Sequence, residues 1–292
     1  MPPLSGRSYI VESQALLLAW LFEHLQPMSR SAIKQTLQQG RVTVNGIPTR
    51  QFDLALEPGD RIVITRESAF ELQKPCPLPI LFQDDFLIVI DKPFGLLTVA
   101  TEKEKTRTAF VLLNDYLERS KQGRAFVVHR LDRDTSGVLL FARTAEARDH
   151  LQATWEEVSK TYYALVEGTP PESEGIIESF LTEGRDLRVR ITPESEESKK
   201  AITHYRLLSR DGPFSRLEVR LGTGRKHQIR VQLASLGCPI VGDSFYGART
   251  DPLARLGLHA WKLKIPHPIS GEMISVLSPP QSLSRKGSHE PS

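Results

Sequence analysis

A proline-rich segment divides this 292-residue chain into two parts with different hydrophobic patterns. Residues 67–79 contain three prolines, which interrupt regular structure and are typical of a linker. Before this segment, two stretches with apolar residues at helical spacing are followed by short segments with strand patterns. From Ile80 onwards, strand patterns outnumber helical ones and do not alternate strictly with them. This order favours an α+β fold, with a mostly antiparallel mixed sheet flanked by helices and loops, over a doubly wound sheet.

The part before the linker is predicted to be a small α+β domain of two helices and a small sheet. Apolar residues recur at helical spacing up to Pro27, and Ser29 is a suitable N-cap for a second helix. Gly40 is a natural end for that helix. The pair Asn45–Gly46 lies between two strand patterns and is a strong signal for a tight β-hairpin.

The chain is predicted to have five segments. They are an N-terminal extension (1–12), the small domain (13–66), the linker (67–79), a larger domain (80–280) and a disordered tail (281–292). The tail is assigned as disordered because it lacks apolar periodicity. In the larger domain we predict helices over 108–121, 144–159 and 227–236, and strands over 80–90, 126–128, 138–141, 161–166, 201–208 and 214–221.

Composition excludes some classes of protein but supports nucleic-acid binding only weakly. The formal net charge is +3 and the sequence pI is about 8.8, so the chain is mildly basic. Cys76 and Cys238 are far apart and lack metal-ligand spacing, so we expect no disulfide framework and no metal site. No apolar run approaches the roughly 18 residues of a membrane span, and no signal-peptide pattern is present. We therefore expect a cytoplasmic protein.

Four basic residues lie on the second predicted helix and the hairpin after it: Arg30, Lys34, Arg41 and Arg50. Arg30 and Lys34 are four residues apart and therefore share a helix face. Such a patch suits contacts to RNA phosphates, which position a nucleic acid without reading its sequence. The alternative is a solvated helix face, to which most runs of charge belong.

The segment from Val128 to Gly137 is the most unusual in the chain. Seven of its ten residues are polar or charged, yet it lies between two apolar strand patterns. Loops between strands are where catalytic groups concentrate. The alternative is a turn whose polar side chains cap backbone groups, and we favour that interpretation for Asp134 and Ser136.

A second polar cluster spans residues 223–230. It has four groups that are or can be cationic, no acid, and leads into an amphipathic helix. Positive charge at a helix N-terminus is unfavourable for the helix dipole. The cluster therefore indicates an anionic partner, which is a phosphate, a carboxylate elsewhere in the fold, or both.

Together these segments resemble the RluA-type family of RNA pseudouridine synthases. The family motif His-Arg-Leu-Asp-x-x-Thr-Ser-Gly matches His129–Gly137, Lys-x-Tyr matches Lys160–Tyr162, and Gly-Arg-x-His-Gln-Ile-Arg matches residues 224–230. The resemblance spans about residues 80–280 and implies the pseudouridine synthase fold and an enzyme that isomerises uridine in RNA. It implies no cofactor, and the chain has no glycine-rich dinucleotide or P-loop pattern.

The resemblance also implies roles for individual residues. Asp132 is the essential carboxylate, which either attacks the ribose or takes a ribose proton. A nearby cation is needed to keep a buried carboxylate charged; Arg230 is the implied partner and Arg225 is the alternative. Tyr162 is expected to lie against the uracil, and Arg130 to fill the space that the flipped base leaves. The other expected contacts to the substrate RNA are His129, Lys160 and Arg225.

The small domain resembles the RNA-binding domain shared with ribosomal protein S-four. The matching residues are Ser29–Arg30, Gly40–Gly46 and Gly59–Ile62. This resemblance implies binding to structured RNA and favours ribosomal RNA, with transfer RNA as an alternative substrate. A non-catalytic RNA-binding protein and a hydrolase of N-glycosidic bonds are the other interpretations, and we expect a monomer.

Overall fold

A computed structural model of the protein describes residues 6–280, so the predicted tail lies outside the described residues. The chain divides into two compact units. The first comprises residues up to Pro75 together with Tyr116–Gln122, and the second comprises Cys76–Asp115 and the chain from Gly123 onwards. No helix among the described residues is long and apolar enough to cross a membrane.

The N-terminal part of the chain consists of three helices and two small antiparallel sheets. Its elements are β1 (Gly6–Ile10), β2 (Ala15–Leu16), α1 (Leu17–His24), α2 (Arg30–Gln38), β3 (Val42–Val44), β4 (Ile47–Thr49), β5 (Ala55–Leu56), β6 (Arg61–Thr65) and α3 (Ala69–Leu72). The main sheet has the strand order β1-β6-β3-β4, and β2 pairs with β5. Trp20, Leu21 and Ile33 are buried in its core.

Local signals in the sequence account for most of this unit. The Ser29 hydroxyl accepts a hydrogen bond from the Ala32 amide at 3.2 Å, which caps α2. Gly40 follows that helix with φ +68°, and Asn45 and Gly46 both have positive φ in the turn between β3 and β4. Two consecutive residues with positive φ are what a two-residue hairpin turn requires. The predicted cap, helix end and hairpin are confirmed.

Two elements of this part were not predicted. Strand β1 lies within the predicted extension 1–12, and α3 lies within the predicted linker 67–79. Strand β1 pairs along its full length with β6, from Gly6 opposite Thr65 to Ile10 opposite Arg61. Its side chains are mostly exposed, so backbone hydrogen bonds rather than an apolar pattern hold it. A strand held in this way leaves little trace in hydrophobic periodicity.

The rest of the chain is dominated by strands. Its elements are β7 (Ile80–Gln83), β8 (Leu87–Lys92), α4 (Ala109–Arg119), β9 (Phe126–Val127), β10 (Ser136–Ala142), α5 (Ala145–Ala153), β11 (Ser159–Glu167), β12 (Glu174–Glu183), β13 (Val189–Thr192), β14 (Lys199–Asp211), β15 (Phe214–Leu221), α6 (Gln228–Ser235), β16 (Leu258–Pro266) and β17 (Met273–Leu277). Short 3-10 turns lie at Trp155–Glu157 and Ser244–Tyr246.

These strands form one mixed sheet of eleven strands among the described residues. The order is β13-β12-β14-β15-β11-β16-β10-β8-β7, with β17 beside β16 and β9 beside β10. The β10–β16 pair is parallel, and the other neighbours in this sheet pair antiparallel. The predicted α+β class with a mostly antiparallel sheet is therefore confirmed.

The parallel pair brings the start of β10 against β16. Gly137 has φ +110°, and a Cβ at this position would lie 2.2 Å from the Ala260 carbonyl oxygen. Only glycine permits both the backbone angle and this close approach. The polar segment before Gly137 is thereby fixed at the middle of the sheet, with strands β16 and β11 between it and β15.

Helix α6 packs on the sheet beside that segment. Its apolar residues Ile229 and Leu233 are buried against Ala164, Leu217 and neighbouring core residues of β11 and β15. The helix occupies 228–235, close to the predicted 227–236. The predicted helix over 144–159 was too long, because it ends at Ala153 and β11 begins at Ser159.

Candidate active site

Three parts of the larger domain line one cleft of about 90 Å³. They are the loop before β10, the first half of β11 and the N-terminal end of α6. The lining residues include Arg130, Asp132, Thr135, Tyr162, Arg225, His227 and Arg230. The structure therefore brings together the two polar clusters that the sequence singled out, on either side of Tyr162.

A larger cleft of about 560 Å³ lies on the exposed face of β12, β14 and β15. Its acidic residue Glu218 already pairs with Arg206 at 3.3 Å and with Arg220 at 2.7 Å. This carboxylate thus already has two cationic partners, and the other titratable acidic and histidine side chains of the larger cleft, Glu174 and His204, are exposed. The smaller cleft is the better candidate for chemistry.

The side chain of Lys92 holds the loop that carries Asp132 through hydrogen bonds to backbone carbonyl groups. Its side chain is fully buried, and Nζ donates hydrogen bonds to the carbonyl oxygens of Pro93 at 3.0 Å, Leu96 at 2.8 Å and Arg133 at 3.0 Å. Burial lowers the pKa of Lys92 to about 7, although the negative charges of Asp134 and Asp132 act to raise it.

Thr98 fixes the same loop one residue before Asp132. Its hydroxyl donates to the Leu131 carbonyl at 2.8 Å and faces the Leu131 amide at 3.1 Å. The backbone on both sides of Asp132 is therefore held by buried polar side chains. Sequence reasoning assigned no role to Lys92 or Thr98. The available signal was a lysine at the end of the apolar strand β8, where a polar residue needs buried partners.

We expect Lys92→Met to reduce the free energy of unfolding by about 2–5 kcal/mol, because three buried carbonyl groups lose their donor. The loss should also depend on pH. Since the pKa of Lys92 is about 7 in the folded protein and 10.5 is its ordinary value, the unfolded chain binds more protons between these pH values. This residue therefore adds stability as pH rises from 7 to 10.

Urea unfolding of wild type and Lys92→Met at several pH values between 7 and 10 measures this dependence, with exposed Lys34→Met as the control. The stability difference between wild type and Lys92→Met should grow with pH. A difference that stays constant over that range would contradict a lowered pKa for Lys92.

Asp132 does not pair directly with Arg230. The Asp132 side chain is 35% exposed, and its Oδ2 lies 4.0 Å from His227 Nε2. The Arg230 guanidinium instead forms two hydrogen bonds with Asp243, at 2.7 Å and 2.8 Å. Among residues 6–280, neither Arg230 nor Arg225 forms an ion pair with Asp132 within 4.0 Å. The expected direct pair of Arg230 with Asp132 is corrected. The buried carboxylate of Asp243 instead accepts two hydrogen bonds from the Arg230 guanidinium.

Arg230 nevertheless contributes positive charge to the cleft. Burial acts to lower the pKa of Arg230, but the hydrogen bonds and charge of Asp243, together with the charge of Asp132, raise it overall. Arg225 is exposed and donates through Nε to the Lys200 carbonyl at 3.2 Å. Of the three arginines that line the cleft, Arg230 is therefore fixed and buried, whereas Arg225 and Arg130 are exposed.

Tyr162 faces the cleft and Tyr163 faces the other side of the sheet, as strand alternation requires. Tyr162 packs on the apolar core beneath α6, while Tyr163 contacts Trp261 edge-on with ring centroids 6.4 Å apart. Burial and the nearby negative charge of Asp132 raise the pKa of Tyr162. Its phenol therefore keeps its proton at neutral pH and can donate a hydrogen bond.

Two expected RNA contacts lie outside the cleft. His129 Nε2 accepts a hydrogen bond from the Leu140 amide at 3.1 Å, and its ring stacks on Trp155 at 4.7 Å. Burial and the charge of Lys160 lower the pKa of His129 to about 3. Lys160 Nζ lies 5.3 Å above the Trp155 ring. Both residues thus have contacts within the protein, and their expected contact with the substrate RNA stays a prediction. Arg130 is exposed and lines the cleft as expected.

Comparisons with known proteins agree with this fold. The larger domain resembles the human RNA pseudouridylate synthase domain containing 1, with a TM-score of 0.57, 29% identity, and coverage of 71% of this chain and 86% of that one. A second human protein, domain containing 4, gives a TM-score of 0.59 at 26% identity and covers 69% of this chain and 88% of its own. The larger domain is thus a pseudouridine synthase domain.

Sequence relatives narrow the assignment. A family model described as RNA pseudouridylate synthase matches residues 86–235. An uncharacterized RNA pseudouridine synthase of Synechocystis is 36% identical over 89% of this chain and 84% of its own length. The ribosomal large subunit pseudouridine synthase D of Xanthomonas campestris is 35% identical over 91% of this chain and 86% of that protein. The chain belongs to the RluA-type family of RNA pseudouridine synthases, and the family prediction is confirmed.

Proposed function

We propose that this protein converts specific uridines of ribosomal RNA to pseudouridine, with Asp132 as the catalytic carboxylate. The observation that carries the proposal is the position of Asp132, held by its loop backbone in a cleft between Tyr162 and the cationic end of α6. The ribosomal substrate is inferred from the name of the Xanthomonas relative and from the resemblance of the N-terminal unit to the S-four RNA-binding domain.

The reaction breaks the glycosidic bond of a uridine, turns the uracil and rejoins it to the ribose through C-5. No electron transfer and no group donor is required, so side chains suffice. Asp132 serves either as the nucleophile at the ribose or as the base for a ribose proton. Both routes need an ionised carboxylate, and the Arg230 guanidinium lines the same cleft.

Tyr162 and Arg130 are proposed to hold the target nucleotide. Aromatic rings contribute roughly 1–3 kcal/mol per stacked base, and Tyr162 presents its ring to the cleft. The target uridine must leave its stack before it reaches Asp132. Arg130, which is exposed and lines the cleft, is proposed to fill the space that the base leaves.

The N-terminal unit is proposed to bind structured RNA as an S-four-like domain. Arg30 and Lys34 are exposed on one face of α2, and Arg50 lies exposed on the hairpin side of the same unit. The Arg30 and Arg50 guanidinium groups lie over the rings of Phe22 at 5.1 Å and Phe70 at 4.6 Å. A guanidinium held against a ring is preordered for a phosphate.

We expect the double substitution Arg30→Gln and Lys34→Gln to weaken binding to the substrate RNA and to flatten its salt dependence. Each lost phosphate contact should reduce the slope of log affinity against log salt by about 0.7–0.9. The matched control is Arg148→Gln with Arg216→Gln, because both arginines already pair with a carboxylate. Equal salt slopes for the two double variants would show that α2 does not contact RNA.

Position-resolved mapping of pseudouridine in total RNA, from cells with and without this protein, tests the proposed function. Sites in ribosomal RNA that disappear with the protein support the proposal. Sites that disappear only from transfer RNA would replace the substrate. Release of free uracil by the purified protein would indicate a hydrolase, and unchanged maps would indicate a non-catalytic RNA-binding protein.

A further inference from the structure

A chain of polar contacts leads from strand β13 to the carboxylate of Asp132. The Val189 amide donates to the Tyr246 hydroxyl at 3.1 Å, and that hydroxyl lies 2.9 Å from His227 Nδ1. On the other side of the imidazole, His227 Nε2 lies 4.0 Å from Asp132 Oδ2. Tyr246 is 8% exposed, so water has little access to this contact.

The partners of the two ring nitrogens determine where the imidazole proton lies. The Tyr246 hydroxyl accepts from Val189, and its own hydrogen needs an acceptor, which His227 Nδ1 provides. If Nδ1 carried the proton, the hydroxyl hydrogen would lose that acceptor. In addition, the lone pair of Nε2 would then face the carboxylate of Asp132. Both arguments favour the tautomer with the proton on Nε2.

Burial keeps this arrangement in its neutral form. Burial lowers the pKa of His227, and the charges of Arg230 and Lys226 lower it further, whereas Asp132 and Asp243 act to raise it. Burial also raises the pKa of Tyr246, so the phenol retains the hydrogen that it donates. A neutral donor next to Asp132 stabilises the carboxylate without neutralising it by proton transfer.

The surrounding backbone and rings restrict the imidazole to one orientation. His227 has φ +51° at the N-cap of α6, and its ring meets Tyr246 edge-on with centroids 5.7 Å apart. The Arg230 guanidinium lies 5.0 Å from the centroid of the Tyr246 ring, and Asp243, at the start of the same 3-10 turn, holds that guanidinium. One turn therefore fixes both the arginine and the histidine of the cleft.

We propose that Tyr246 is a positioning residue that fixes His227 as the Nε2–H tautomer, so that an N–H group faces Asp132 and the ribose of the bound uridine. This inference rests on the proposed function, because it assigns His227 as a donor to the catalytic carboxylate. The present separation of 4.0 Å exceeds hydrogen-bond length, and contacts of this kind often tighten when substrate binds.

Nitrogen NMR of ¹⁵N-histidine-labelled protein reads the tautomer directly, and His227→Gln assigns the signal. In wild type and in the control Tyr163→Phe, we expect a protonated Nε2 and an unprotonated Nδ1. In Tyr246→Phe, we expect both nitrogens to shift towards the values of a mixed population. An Nδ1–H tautomer in wild type, or an unchanged spectrum in Tyr246→Phe, would overturn the proposal.

A double-mutant cycle tests whether Tyr246 acts through His227. Tyr246→Phe should lower kcat about tenfold, the effect of one lost hydrogen bond, with RNA affinity unchanged. In the His227→Gln background, the same substitution should change kcat less than twofold. Equal losses in both backgrounds would show that Tyr246 acts through packing instead.

The two readouts separate this inference from the proposed function. If the wild-type protein forms no pseudouridine, the proposed function fails, but the NMR spectra still decide the tautomer. If the wild-type protein is active and the tautomer is mixed, the inference alone fails. Thermal unfolding of Tyr246→Phe checks that the variant keeps its fold.

Discussion

Asp132→Asn is expected to reduce pseudouridine formation by at least about 10³-fold while RNA affinity stays within about twofold of wild type. Asn preserves the shape of the side chain but can neither attack the ribose nor accept a ribose proton. The loop should keep its position, because Thr98 and Lys92 hold it through backbone atoms of Leu131 and Arg133. Turnover by single-turnover kinetics and affinity by filter binding measure the two effects separately.

Asp134→Asn is the matched control for this prediction. Asp134 lies in the same loop but is exposed and does not line the cleft. We expect it to keep activity within a few-fold of wild type. An Asp132→Asn enzyme with more than a tenth of wild-type turnover would remove this residue from the chemistry, and a loss as large in Asp134→Asn would point to the loop as a whole.

Tyr162→Phe is expected to bind RNA normally and to slow turnover by about 10²–10⁴-fold, the usual contribution of a positioned acid or base. The substitution keeps the ring against the apolar core and removes only the hydroxyl. Because the pKa of Tyr162 is raised, the hydroxyl is protonated and its loss removes a donor from the cleft. If this hydroxyl assists proton removal, rapid quenching should trap a rearranged product that still retains its C-5 proton.

Tyr162→Leu separates the ring from the hydroxyl. It loses stacking as well, so we expect weaker placement of the flipped base in addition to slow turnover. Tyr163→Phe, on the opposite face of the sheet, serves as the control. Wild-type rates for Tyr162→Phe alone would exclude the hydroxyl from the mechanism, and wild-type rates for both Tyr162 variants would assign the residue to packing.

Local structure was largely predictable where short signals specify it. The hairpin at Asn45–Gly46 and the cap at Ser29 depend on neighbouring residues, so the sequence alone indicates them. Strands β12 and β13 were missed, because many of their side chains are exposed and leave no continuous apolar run. Their position in the sheet depends on pairing with β14, which is distant along the chain.

Within the site, the residues that line the cleft were easier to predict than their partners. Motifs indicated Asp132, Tyr162 and Arg230, and the structure brings all three to one cleft. The partner of Arg230 could not be read from the sequence. A guanidinium binds whichever carboxylate the fold buries beside it, and here that is Asp243. The partner of His129 was equally hard to predict. A histidine in a motif can form a hydrogen bond with the backbone as well as with a ligand, and His129 accepts one from the Leu140 amide.

Lys92 and Thr98 hold the loop that carries Asp132 through its backbone, and this bears on how the choice of substrate could be altered. Their hydrogen bonds reach carbonyl and amide groups, which every residue type except proline supplies in full. The contacts of Lys92 and Thr98 therefore persist when the side chain of Arg130 or Arg133 is exchanged, and exchange of Arg133 loses only the hydrogen bond from its Nε to the Gly95 carbonyl at 3.2 Å. A combinatorial library at these two exposed positions offers a route to enzymes with new target sites on an unchanged scaffold.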